Sequence, residues 1–566
     1  MAIPNSQPMQ FSPGMGGLVD AFDATKKFPG ACTSLANLIH DQVNPEFVVS
    51  RPGNLSLASF VAGGFNTPSF VSIQVCIGTY IFGMVTTQRN PGFDEPFMYN
   101  TTTGLFVTIG TVTGVNTPAS PVSNGVDWTP PTLANIGTMI VITHPGFIGT
   151  NGFYGVIDVT NYALPVWRSE NTTTNLLLSV PTCVANFNNR AWFAGSNVDS
   201  GTNNYSNWVW YTDVLTNPLT MSNASQALII GDDGPVNCLV GLPNQTTSAG
   251  IIQSLTVFKK TQIWQINGDT LQANLSLNYL SLNIGTLMPR TVVQAPFGLY
   301  FISSGGPYMV NLLGAVLPIT HEPNGSEPDI QVPFQNAVTP TRWCGAYNST
   351  IYRVCGTTVI NGVQSANDYW FDEHKRRWSG PHSFAYDCAS AFGGLFSLSS
   401  YLQPGLLIQS SPSANSGFPL MDVGSATMTF TLQSSTFPKT GDMYTKMVAE
   451  SQGEFSAVNG AQVFNIIAQN ESGGAIGQSS INTGVSVPKW GNPALLWGSL
   501  AQGGTGTLWT ALIAQYIPRT YPVPWGAPLV FEKMQLNITG NVTANIGIGT
   551  FMARFQKTGY MTTGNP

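Results

Sequence analysis

Apolar residues in this chain fall in short runs bounded by turn-forming clusters, not at the three-to-four spacing of an amphipathic helix. From about residue 70 to residue 425 one pattern recurs. A β-rich run enters a turn, and a second apolar or aromatic run returns. The first unit holds Ile73–Ile77, Tyr80–Val85, Pro96–Tyr99 and Leu105–Val107; the second holds Met139–Ile142, Gly155–Val159 and Pro165–Trp167. Further units carry Arg190–Ala194 with Trp208–Tyr211, Ser254–Phe258 with Ile263–Ile266, and Gly298–Ile302 with Tyr308–Val310. The last two carry Thr350–Val354 with Tyr369–Phe371 and Trp378, then Gly394–Ser397 with Leu406–Ile408. A small antiparallel sheet cannot bury both faces alone, and radial stacking of such sheets buries them and shields their edges. Repeats of roughly 40 to 50 residues are the propeller signature, and the units here, irregularly spaced from under roughly 40 to about 70 residues, predict a β-propeller of six or seven blades.

The texture changes at both ends. Residues 1–55 are rich in Pro and Gly and predict an extended arm, with one short helix near Cys32–Asp41. After residue 425, Ala426–Leu432 alternates with period two, and Val463–Ala468, Pro528–Ile538 and 544–556 continue in strand-like runs. Gly473-Gly474 and Gly503-Gly504-Thr505-Gly506 read as loops between them. The expected fold class is all-β, an irregular propeller over 56–425 followed by a β-sandwich over 426–566.

Composition sharpens this picture. Hydrophobic residues make up 43% of the 566 and charged residues 8%, with 59 Gly and 39 Pro. Polarity is carried by amides and hydroxyls, which compete with a helical backbone and favour strands and turns. So weakly charged a surface offers little self-repulsion and predicts an assembly of copies. The net charge of −6 gives no basic face for duplex DNA. The one dense basic run, His374-Lys375-Arg376-Arg377, sits between Tyr369-Trp370-Phe371-Asp372 and Trp378 and reads as a hairpin tip resembling the aromatic–Asp–turn–Trp hairpin of kelch-type blades.

Candidate chemistry is sparse. The seven cysteines include no CxxC pair and read as small buried residues, not as disulfides or a zinc site. None of the five histidines lies in HExxH, and there is no GxSxG elbow. Asp232-Asp233 reads as a turn before it reads as a cation site. The nearest approach to a sialidase Asp-box, Asn197-Val198-Asp199-Ser200-Gly201, lacks the leading Ser and the aromatic that follows. No cofactor and no metal are expected. The N-terminus has no leader-like charge and apolar run, and no stretch is long enough for a helical membrane span, which predicts synthesis in the cytoplasm.

Three segments resemble one family. Ala36-Asn37-Leu38-Ile39 followed by Arg51-Pro52-Gly53 is similar to an Asn-Leu…Arg-Pro-Gly entry. Asn189-Arg190-Ala191-Trp192-Phe193-Ala194-Gly195-Ser196, followed by Trp210–Pro218, is similar to a blade of the same family. The stretch Ile546–Thr550 through Gly559-Tyr560-Met561 completes the likeness. The chain resembles, over nearly its full length, the tail hub and nozzle proteins of short-tailed bacteriophages, also called packaged-DNA stabilisation proteins. The resemblance implies a homohexameric ring in the virion tail, below the portal and its adaptor, carrying tail fibres or spikes. Double-stranded DNA would pass through without specific binding, held in the head and then released. It implies no catalysis, so the chain is expected not to be an enzyme. Asn37, Arg51, Pro52 and Gly53 become candidates for the adaptor-facing interface, with an ordinary turn as the alternative. Two other readings stand beside it. One is a receptor- or carbohydrate-binding virion protein using Trp208 and Trp210 as stacking platforms. The other is a propeller-type glycoside hydrolase, which needs two facing carboxylates.

Overall fold

A computed structural model describes residues 7–20, 30–65, 68–87, 94–111, 130–144, 147, 153–170, 177–195, 205–223, 226–231, 234–243, 245–247, 250–252, 254–268, 275–322, 325–400, 402–414, 417–425, 427–436, 444–458, 461–483 and 519–560. Strands account for 56% and helices for 3%, so the all-β expectation holds. The chain divides into two compact units, residues 55–368 with 384–412, and residues 1–54 with 369–383 and 413–566. The Asp-box-like segment 197–201, the pair Asp232-Asp233 and the loop 503–506 lie outside the described residues.

The first unit is a β-propeller. Six self-contained sheets of four or five strands are its blades. Their innermost strands are Pro68–Ile77, Thr132–Ile136, Cys183–Phe187, Cys238–Gly241, Val293–Ala295 and Cys388–Phe392. A further antiparallel set led by Cys344–Asn348 fills a seventh position between the last two of these. The strand Asn54–Ser59 adds to the outer edge of the last blade, so the ring is closed by chain from its own beginning.

Local chemistry sets each blade. Three of the first hairpins close on two-residue turns with positive φ at both positions, the geometry that matches strand twist. Asn188 and Asn189 (φ 53° and 55°) join Phe187 to Arg190. Ser349 and Thr350 join Asn348 to Ile351, and Gly393 and Gly394 join Phe392 to Leu395. The fourth blade breaks the pattern. A separate two-stranded hairpin, Gln245–Thr247 with Gly250–Ile252, is inserted between its first two strands. That insertion is one source of the uneven repeat in the sequence.

Large side chains fill the spaces between blades. Val141, Val156 and Trp167 of the second blade join Phe193 and Trp210 of the third in one apolar cluster. Trp192 and Tyr211 of the third blade stack at 4.6 Å and pack with Leu255 and Ile266 of the fourth. Gly155 is required here, because a Cβ would lie 2.0 Å from the Trp167 ring.

The second unit contains two antiparallel sheets. One is built on the long pair Tyr444–Val458 and Asn545–Tyr560, with Gln7–Phe11 and Val48–Ser50 paired to the latter. The other runs Arg377–His382, Ala31–Ala36, Thr429–Ser434, Gln535–Asn541, Val463–Gln469, Ala475–Asn482. Phe455 of the first sheet meets Phe464 of the second with ring centroids 4.7 Å apart. Two sequence expectations are corrected. Residues 1–55 are not a separate arm: strands at Gln7–Phe11, Ala31–Ala36 and Leu38–His40 are paired into these sheets. The short helix near Cys32–Asp41 is absent, because Ala31–Ala36 is gripped between Arg377–His382 and Thr429–Ser434. Partners some 350 to 400 residues away override the local preference.

Candidate functional site

Asn37, Arg51, Pro52 and Gly53 do come together, but in the interior. The Arg51 guanidinium is bidentate to Asp422, Nη1 to Oδ1 at 2.8 Å and Nη2 to Oδ2 at 2.5 Å. Its Nε donates to Asn37 Oδ1 at 2.8 Å, and Nη1 also donates to Pro52 O at 3.0 Å. Asn54 Nδ2 donates to Asp422 Oδ1 at 2.7 Å. Asn37, held at φ 57°, donates through Nδ2 to Thr429 O at 2.6 Å. Gly53 has to be glycine because a Cβ would lie 2.0 Å from the Met421 carbonyl oxygen. Arg51 is 1% exposed and the other three are buried. The adaptor-facing expectation for these side chains is therefore corrected. They are consumed in a buried charge-assisted network that ties three distant stretches of this unit together.

The blade motif is also framework. Arg190 donates to Thr212 O at 2.7 Å and lies over the Tyr211 ring at 5.6 Å. Asp213 accepts from the hydroxyls of Thr220 and Ser222 at 2.9 Å each, and from Gln226 Nε2 at 3.0 Å. Trp210 is buried, so it offers no stacking platform; Trp208 is half-buried against Tyr205 and Trp210. The basic run does form a hairpin tip, but residues 369–383 belong to the second unit and not to a propeller blade. Phe371 and Trp378 pack at 5.2 Å, and the Lys375 N–H donates to Asp372 Oδ1 at 3.1 Å. Arg377 is drawn back to Met15 O at 2.9 Å and is not a free phosphate contact.

One concavity lies on the propeller axis, a cavity of about 670 Å³ lined by the inner strands of every blade position. Its wall is apolar and amide. Asn186 Nδ2 donates to Asn135 O at 2.7 Å across neighbouring inner strands, and Asn237 Nδ2 donates to Thr286 O at 2.8 Å. Among the described lining residues the only charged one is Arg290, and none is Asp, Glu or His. The Arg290 guanidinium nitrogens are buried without a hydrogen-bond partner. Asp387 lies within its field, and burial pushes that carboxyl up to about 6, with Arg290 and Arg342 pulling it back. Ser399 Oγ is 3.3 Å from Asp387 Oδ1 but donates its proton better to Val71 O at 2.8 Å.

The axis explains the cysteines. Cys183, Cys238, Cys344 and Cys388 each open an inner strand. The strands read CVANF, CLVG, CGAYN and CASAF, because small residues are what a crowded axis admits. The repeated Cys followed by small residues was the sequence signal for these strands, and the aromatic pattern of the middle strands obscured it. Burial pushes the Cys183 thiol up to about 12, and those of Cys238 and Cys344 well above their usual value. All seven cysteines are free, and no group of three or more metal-ligating side chains is found among the described residues.

No family model and no curated protein matches the chain. Similar solved structures include a puromycin-hydrolysing peptidase of Mycobacterium tuberculosis, at 10% identity and a TM-score of 0.34, over 62% of this chain and 51% of that one. This chain thus spans about half the length of that peptidase. A family 43 arabinoxylan arabinofuranohydrolase of Bacillus subtilis is similar at 8% identity and a TM-score of 0.27, over 89% of this chain and 99% of that one. An exo-β-1,3-galactanase of Phanerochaete chrysosporium matches over the same shares at 8% identity and a TM-score of 0.21. These neighbours correct one expectation. Glycoside hydrolases stand among the structures this chain is similar to, so the expectation that it is not an enzyme is withdrawn. At such identities no activity passes from them to this chain.

Proposed function

We propose that this chain is a tail hub or nozzle subunit of a short-tailed bacteriophage, assembling into a ring below the portal and adaptor and continuing the path of the DNA. One observation carries the reading. The residues on which the family resemblance rests are the ones that hold the framework: Arg51 with Asn37 and Asp422, Arg190 with Tyr211, and the strand Asn545–Tyr560. The low share of charged residues, 8%, supports close packing of copies. A ring of one chain needs heterologous interfaces that close by rotation.

The test is electron microscopy of the purified chain, alone and mixed with the portal–adaptor complex of its phage, beside an assay for reducing sugar released from host polysaccharide. The proposal expects a six-fold ring that docks end-on to the complex. A chain that remains monomeric or trimeric with the complex in excess sinks it. Release of reducing sugar, abolished by substituting a carboxylate, would move the chain to the hydrolases.

A further inference from the structure

An asparagine side chain can be attacked by the backbone nitrogen of the next residue, and the fold decides where that happens. The attack is easiest when the next residue has no Cβ to shield its nitrogen. It also needs an amide that no neighbour holds and a backbone free to bring the two groups together. Two Asn-Gly pairs lie wholly among the described residues, Asn267-Gly268 and Asn361-Gly362. The structure treats them in opposite ways.

The first pair is locked. Asn267 ends the strand Ile263–Asn267 and is paired on both sides, with Ser254 and with Ser276. Its Nδ2 donates to Gln265 Oε1 at 3.4 Å, and the Gly268 carbonyl accepts from Asn188 Nδ2 at 3.0 Å. Asn348, followed by the small Ser349, is held in the same way. Its Nδ2 donates to Leu395 O, and its Oδ1 accepts from the Ser349 hydroxyl at 2.9 Å.

The second pair is open. It forms the two-residue tip between the strands Ile351–Ile360 and Val363–Asp372, with φ of 52° at Asn361 and 76° at Gly362. Asn-Gly is the favoured pair for a hairpin turn with positive φ at both positions, so the residues that make this turn are also the reactive pair. The strand Ile351–Ile360 is buried over its first five residues, whereas Asn361, Gly362, Val363 and Gln364 are all exposed. A Cβ built on Gly362 would meet nothing within 4 Å, so the tip stands clear of its surroundings. From Gly356 to Asn367 the chain carries no charge.

We propose that Asn361 is a site of spontaneous deamidation, at which the Gly362 nitrogen closes on the Asn361 side-chain carbon. The N–Cγ bond forms, the Cγ–Nδ2 bond breaks, and ammonia leaves with the proton that the Gly362 nitrogen gives up. Water then opens the five-membered imide. Cleavage of its bond to Cγ gives aspartate. Cleavage of its bond to the main-chain carbonyl carbon gives isoaspartate, whose backbone runs through Cγ. Either product places a negative charge at the tip of a neutral hairpin. Isoaspartate also adds a methylene to the turn whose length fixes the register of the two strands. The modification goes beyond the ring reading and does not depend on it.

Ageing the full chain at pH 8.5 and 37 °C, native and in denaturant, tests this. Peptide mapping by mass spectrometry reads each asparagine, and a protein isoaspartyl methyltransferase marks the isoaspartate. Exposed hairpin tips open locally at little cost, and paired strands do not, so Asn361 should convert in the native chain at close to its rate in denaturant. Asn267 should convert at least about tenfold more slowly in the native chain than in denaturant. An Asn361 protected as strongly as Asn267 overturns the proposal. So does conversion of Asn267 or Asn348 ahead of Asn361 in the native chain.

Discussion

Arg51 and Asp422 are 371 residues apart in sequence and meet as a buried bidentate ion pair, 1% and 8% exposed at their side chains. Desolvating both charges is costly, and what offsets the cost is that nearly every polar atom of the pair finds a partner: Asn37, Pro52 and Asn54 complete the set. Removing one partner leaves the other charge buried and alone. Arg51→Met should therefore destabilise this unit by about 3–5 kcal/mol, while Arg51→Met with Asp422→Leu should cost far less. Urea unfolding of the single and double variants checks this. Equal losses in both would mean that shape, not charge, is what the pair supplies.

Gly53 yields a sharper contrast. Its missing Cβ is replaced in space by the Met421 carbonyl oxygen, a backbone atom that cannot move aside cheaply. Gly53→Ala should cost about 1–3 kcal/mol through forced backbone shifts. Gly110→Ala is the control, since its Cβ would meet nothing closer than 3.7 Å. That change should stay within about 0.5 kcal/mol of wild type. Thermal melts of both variants compare them directly, and a neutral Gly53→Ala would contradict the close approach.

Acid should act on the two units in opposite directions. Burial lowers His40 from 6.5 to about 4. The unfolded chain takes up this proton below pH 6.5 and the folded chain refuses it, so the contribution is complete above 6.5 and lost as pH falls toward 4. Asp387 is raised from 3.8 to about 6, so its contribution is complete below 3.8 and lost as pH rises toward 6. Each is worth roughly 3 kcal/mol across its window. Asp387→Asn should stabilise the propeller unit at pH 7.5 and be nearly silent at pH 3.5. His40→Gln should flatten the acid loss of the other unit. Unfolding titrations at several pH values read both, and an unchanged profile in either variant would refute the corresponding assignment.

The propeller was legible because its middle strands carry aromatic and β-branched runs at turn-bounded intervals. Six of the seven sequence units fall on blade strands, among them Tyr80–Val85 and Gly298–Ile302, whereas Tyr369–Phe371 and Trp378 of the sixth belong to the other unit. Hidden were the contacts that depend on distant partners. Ala31–Ala36 carries no local mark of the strands that grip it, and the Arg-Pro-Gly at residues 51–53 could not announce Asp422. The motif residues were correctly singled out, but for the wrong role. A local pattern identifies an unusual residue and says nothing about whether its partner belongs to the same chain or another.

The axis offers the last test. Six cysteines are buried and Cys76 is half-buried, and burial pushes Cys76 up to about 11 as well. Thiolate is the reactive form, so the native chain at pH 8 should show no rapidly reacting thiol toward a disulfide reagent. All seven should react in denaturant. Within the ring of inner strands, size matters more than sulfur. Cys344, 1% exposed and bridged to Arg290 on one side and paired with Cys355 on the other, should accept Ala at a cost of about 1 kcal/mol. Leu at the same position should cost about 1–3 kcal/mol, because added methylenes have nowhere to go. Thiol counting and urea unfolding separate the two claims. A fast-reacting thiol would mean the blades open at the axis under native conditions, whereas a tolerated Cys344→Leu would mean the inner strands are less crowded than their small residues indicate.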